Sequence, residues 1–227
     1  MSKRFSKEDL ESDVLVTLYA RTSIYYKENS TKIIGIVVAT IVLIGAIVGY
    51  TIHSSNQEQA AQAFLGHSER YFSEGDFETA LNGSDAILGI GLAAIVSEYG
   101  RTDAGNLARF YAAVSEKELG NNEAALQYMS RFSAPNGILG VGAISFHAVL
   151  LDNAGKHAEA AREFRKAANW DVNSSTTPQN LLRAAQSAMA ANDNRLASNL
   201  IEEILEKYPS SPQAAQAQRL SGMLAVK

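Results

Sequence analysis

The sequence predicts an all-α protein: a single N-terminal transmembrane helix followed by a solenoid of helix-turn-helix units. Three observations carry this. Ile33–Ile52 is a run of twenty residues without a charge. From Gln57 onward, apolar residues recur with helical spacing between short Gly and Asn-Asn breaks, and no stretch alternates like a β-strand. Two of the helical stretches repeat at an offset of 35 residues.

Composition is consistent with that class. The chain has 227 residues, 46% hydrophobic and 19% charged, with 4 Pro and 16 Gly, which excludes disordered and collagen-like polymers. A net charge of -4 without a basic cluster argues against a nucleic-acid partner. With no Cys, disulfides, thiolate metal sites and a Cys nucleophile are all excluded.

The leader, residues 1–32, places Leu10, Val14, Leu18 and Tyr25 on one helical face, with Ser6 as N-cap. Two contacts fit this face, a membrane surface or a docking partner; the leader's acidic residues weigh against an anionic-lipid binder. Residues 33–52 form the membrane helix, since 20 residues at about 1.5 Å each span a bilayer core of about 30 Å. The alternative, a cleaved signal peptide, is opposed by the 32 preceding residues and by the length of the apolar run. Arg21, Lys27 and Lys32 precede the helix and no Lys or Arg follows until Arg70, so the N-terminus is expected in the cytoplasm. Residues 53–227 then lie outside, in the periplasm of a Gram-negative cell. Gly45 and Gly49 form a G-x-x-x-G that permits close helix contact and a homo-oligomer, or reflects the ordinary frequency of glycine in membrane helices.

In residues 53–227, Leu119–Leu126 aligns with Ala154–Ala161. A third copy begins at Ala191-Asn192-Asp193, and a fourth, upstream, at Glu74-Gly75-Asp76. Gly75, Gly120, Gly155 and Asn192 fall where a residue tolerating positive φ ends the first helix of each pair. Ala80, Ala125, Ala160 and Ala197 fall where the paired helices cross and only a small side chain fits. The upstream copy is degenerate, with a Gly-rich insertion at Asn82–Gly91 before a helix resumes at Leu92–Tyr99. Thr177-Pro178 reads as N-cap and N1 of a further helix, Pro209 ends the last unit, and Gln213–Val226 closes the solenoid.

This skeleton resembles the tetratricopeptide repeat, a helix-turn-helix unit of about 34 residues. The layout as a whole resembles a family of bacterial inner-membrane proteins that includes the ancillary subunit of the Sec translocon. The local likeness is Tyr26–Lys32 directly before the membrane helix and Thr177–Ala185 in the last unit. The resemblance implies a non-enzymatic interaction module whose partners are Sec translocon subunits, periplasmic chaperones or client polypeptide. A structural scaffold of another envelope complex is the alternative.

Residues able to do chemistry are sparse. No phosphate-loop, nucleophile-elbow, zinc-protease or EF-hand spacing occurs, and nothing calls for a metal or cofactor. His67 and His147 share one helical position in different units, a packing or face role, and Trp170 reads as an anchor between units. Glu202, Glu203, Glu206 and Lys207 read as a solvated face. In tetratricopeptide domains the first helix of each unit faces the groove, so the partner-binding groove is assigned to Leu65, Phe72, Phe110, Val114, Lys117, Val149 and Leu182, a largely apolar set. Ser145 and Asp152 occupy further groove positions. The apolar members either hold a partner segment or pack internally.

Overall fold

A computed structural model describes residues 7–84 and 89–225, with side chains from residue 16 onward. Ser6 lies outside the described residues, as do the side chains of Leu10 and Val14, the insertion residues 85–88, and Val226. The chain forms two compact units, Met1–Asn56 and Gln57–Lys227.

The first unit is helical throughout its described part, belonging to α1 (Lys7–Glu74), with one break at Asn29 where φ and ψ are -117° and 16°. Leu18, Tyr25 and the apolar side chains of residues 34–52 are exposed, and Ile33 is half-buried. The helix does not stop at Ile52 but continues to Glu74, because no Gly or Pro capable of terminating it occurs between His53 and Glu74 apart from Gly66. This is one helix long and apolar enough to cross a membrane, by length and composition.

The second unit is built from the end of α1, α2 (Phe77–Asn82), α3 (Leu92–Tyr99), α4 (Asp103–Glu118), α5 (Asn122–Met129), α6 (Ile138–Asn153), α7 (His157–Trp170), α8 (Thr177–Ala190), α9 (Asn194–Lys207) and α10 (Ala214–Ala225). Four pairs follow one another: the end of α1 with α2, α4 with α5, α6 with α7, and α8 with α9. Their turns share one design. Gly75, Gly120, Gly155 and Asn192 have φ of 80°, 86°, 74° and 61°. The next amide in each case reaches back five residues, from Asp76 to Tyr71, Asn121 to Glu116, Lys156 to Leu151 and Asp193 to Ala188, at 2.8–2.9 Å. That is the Schellman closure, which satisfies carbonyls left open at a helix end. Asn192 substitutes for glycine because its short side chain tolerates the left-handed region.

Ala80, Ala125, Ala160 and Ala197 are all fully buried. Each sits on the second helix of a pair, where a larger side chain would push the helices apart. Ala160→Leu is therefore expected to cost about 1–3 kcal/mol by overpacking, whereas Glu159→Leu, on the exposed side, is expected to change stability by less than about 0.5 kcal/mol. Chemical denaturation of the two variants checks the contrast.

Two boundaries differ from expectation. The N-cap of α8 is Thr176, not Thr177. Thr177 is drawn inside because its hydroxyl donates to the Ala168 carbonyl at 3.2 Å and accepts from the Asn173 amide at 3.0 Å, leaving the residue buried. The Gly-rich insertion also carries a minimal antiparallel ladder, β1 (Gly83–Ser84) against β2 (Gly89–Ile90), in an otherwise helical fold. Past that ladder α3 packs on α4, adding a helix to the first pair.

The core of the unit falls into several clusters of buried residues, all rich in alanine or small aliphatics. Its largest cluster joins Ala148 and Leu151 of α6, Phe164 of α7, Leu181 and Leu182 of α8, Leu200, Ile201 and Ile204 of α9, and Ala217 of α10. The last helix, with Leu220 and Leu224 against this cluster, covers the apolar face that the final pair would otherwise expose.

Candidate functional site

The first helices of the pairs position most of the groove residues, and the structure divides that set. Phe72 at the end of α1 meets Phe77 edge-on with centroids 5.5 Å apart, and Tyr111 of α4 at 4.7 Å. Phe110, next in chain to Tyr111, meets Phe132 and Phe146 of α6, each at 5.7 Å. Phe72 and Phe110 thus belong to one aromatic row crossing three helical pairs, in which tilted and edge-to-face contacts add about 0.5–1.5 kcal/mol per pair beyond burial. Both are half-buried, so their rings are largely occupied by neighbours.

Leu65 and Leu182 are core residues, 4% and 7% exposed, and do not line a groove. Leu65 shares a cluster with Leu92 and Ile95 of α3, the helix that follows the insertion, and Leu182 shares one with Ala217 of α10. Counting back from the turn residue finds the face of a helix but not what covers it. Val149 is half-buried against the same cluster as Leu182, and Val114 is half-buried on α4. Lys117 places its ammonium 2.6 Å from the Glu118 carboxylate, both about two-fifths exposed, an arrangement worth little at a surface.

The polar positions on these helices serve the stack. Ser145 Oγ lies 2.7 Å from Asn180 Oδ1, and Asp152 accepts from Ser187 at 3.1 Å while facing His157 Nδ1 at 2.8 Å. Both contacts between α6 and α8 join residues 35 apart, so the sequence period reappears as a ladder of hydrogen bonds. His67 is exposed, whereas His147 is half-buried, 3.8 Å from Glu163. Burial holds the His147 imidazole below its ordinary pKa, with Glu163 opposing. Tyr111 is pushed up, first by burial and then by Glu69. Among the described residues no group of three or more His, Asp or Glu side chains comes together to hold a metal.

Two features escaped sequence reasoning. The Glu58 carboxylate of α1 accepts from the Asp103 and Ala104 amides at 2.7 and 3.1 Å, capping α4 from 45 residues away. No local pattern announces such a cap. Secondly, Ile138 and Leu139 at the start of α6 are 54% and 75% exposed, and Ile138 lines a cavity of about 260 Å³ between α6 and α8 together with Val141, Gly142, Ser145, Asn180 and Arg183. Trp170 and Val172, at the adjoining end of α7, are also exposed, and Trp170 Nε1 donates to the Pro135 carbonyl at 2.8 Å, anchoring that end. The signal available was Gly137-Ile138-Leu139-Gly140, two large apolar residues between glycines at a helix start.

No protein-family model matches this chain, nor does any curated protein or solved structure.

Proposed function

We propose that this chain is a membrane-anchored interaction module of the tetratricopeptide type, without catalytic activity, that holds an apolar polypeptide segment next to the Sec translocon or the periplasmic chaperones. The observation that carries the reading is the exposed Ile138, which lines the α6/α8 cavity. Exposed large apolar side chains next to a concavity are what a polypeptide anchor needs. Four equivalent left-handed turns with buried crossing alanines support the repeat assignment. The proposed topology puts the N-terminus in the cytoplasm and the repeats in the periplasm of a bacterial inner membrane, on the Lys and Arg bias around residues 33–52. A periplasm-dependent reporter fused after Lys227 is expected to be active; activity of a cytoplasm-dependent one instead refutes the orientation.

Purification of the full chain in mild detergent tests the function. Sec subunits or periplasmic chaperones are expected to co-purify, and Ile138→Asp is expected to reduce their recovery about tenfold, the scale of losing one buried anchor. Lys117→Ala is expected to leave it unchanged. Phe110→Ala is expected to lower stability as well as capture, because its ring packs on three neighbours. Gly45→Ile with Gly49→Ile is expected to preserve insertion while weakening a membrane contact, since a Cβ at either glycine meets no other side chain or distant backbone among the described residues.

The scaffold reading is favoured by the aromatic row, whose rings are occupied by one another rather than presented to a client. Co-purification of an unrelated envelope complex, insensitive to Ile138→Asp, selects it.

A further inference from the structure

A second concavity, of about 430 Å³, lies among α3, α4 and α5, and its lining includes Val96, Arg109, Glu116, Gln127, Tyr128 and Arg131. Arg109, half-buried on α4, donates from Nη2 to the Gly100 carbonyl at 2.5 Å, which fixes the guanidinium in place. Its Nε is buried and has no hydrogen-bond partner among the described residues. Arg131, just beyond α5, is exposed and forms no ion pair among the described residues. The two guanidiniums are close enough for the charge of Arg131 to add to burial in disfavouring protonation of Arg109. The one acid in the lining, Glu116, takes a hydrogen bond from Asn121 Nδ2 at 2.9 Å.

Two neighbouring cations with spare donors, forming no ion pair among the described residues and outnumbering the one carboxylate of the lining, leave a net positive charge that a bound anion relieves. Guanidinium forks match the planar or tetrahedral array of a carboxylate or phosphate, and a weakly hydrated, half-buried Arg gives up little water to bind one. Val96 and Tyr128 supply an apolar wall, so the site suits an oxyanion carried on an organic group.

We propose that the α3/α4/α5 pocket binds an oxyanion, a carboxylate or a phosphate, between Arg109 and Arg131. It does not depend on the polypeptide-binding reading. The test is calorimetric titration of the full chain in detergent with inorganic phosphate and, separately, with succinate, at constant ionic strength set with chloride. Saturable binding of at least one is expected, weakened about tenfold or more in Arg131→Gln, the loss of one charge-assisted pair. Glu116→Gln is expected to tighten binding by removing the acid beside the ligand. Arg131 is exposed, so its variant reports on the site rather than on folding. Binding of phosphate alone assigns a phosphate-bearing ligand, of succinate alone a carboxylate, and either result supports the pocket. Absence of saturable binding for both anions, or affinities within about twofold for the wild type and Arg131→Gln, overturns the proposal.

Discussion

Phe164→Ala is expected to destabilise the second unit by about 3–5 kcal/mol, the largest loss among single truncations in the repeats. Phe164 is 2% exposed at the centre of α7 and shares the main cluster with side chains from α6, α8 and α9. Removing the ring leaves a cavity that small neighbours such as Ala148, Ala160 and Ala168 cannot fill by moving, because alanine has no rotamers to redirect. The Arg183 guanidinium, 5.8 Å from the ring centroid, loses a cation–π contact as well. Phe132→Ala, at a half-buried ring on the edge of the aromatic row, is expected to cost less than half as much. Urea denaturation followed by circular dichroism measures both; equal losses contradict the placement of the core.

Gly140→Ala and Gly142→Ala are expected to change stability in opposite directions, though the two glycines lie in the same helix. A Cβ at Gly140 overlaps the Pro135 carbonyl oxygen and the Trp170 indole, while one at Gly142 meets nothing. The Pro135 contact is backbone and cannot rotate away, and the indole is held by its hydrogen bond to that same carbonyl. Relief requires α6 to shift from the end of α7, at a cost of about 1–3 kcal/mol or more. Gly142 is exposed in a regular helix, where alanine restricts the unfolded chain and gains about 0.5–1 kcal/mol. Thermal unfolding resolves the signs. Stabilisation by both substitutions means that the approach of Trp170 to α6 is not as close as described.

These glycines mark the division between what is local and what is not. The need for glycine or asparagine at 75, 120, 155 and 192 is a steric property of a few consecutive residues, and it stands in the sequence because positive φ penalises nearly every other side chain. The crossing alanines are equally legible, since they recur at a fixed distance from those turns. The apolar stretch at residues 33–52 is recognisable from its length and absence of charge alone. Gly140 carries no such signature: its role comes from a tryptophan 30 residues later folding back upon it.

The candidate surface was legible to the same degree. Phe72 and Phe110 belong to an aromatic row that became visible only once Tyr111 of α4, Phe132 beyond α5 and Phe146 of α6 were seen together. Leu65 and Leu182 carry the same periodicity as a groove residue, yet α3 and α10 pack over them. The Glu58 cap of α4, the serine and asparagine ladder between α6 and α8, and the paired arginines beside α3 are likewise contacts between distant segments. Where the helices run and where they turn was readable in the sequence alone, because φ, ψ and helical spacing depend on near neighbours. Which side of each helix stays open was decided by tertiary structure, because exposure depends on what packs against that side, and the covering helix is encoded elsewhere in the chain.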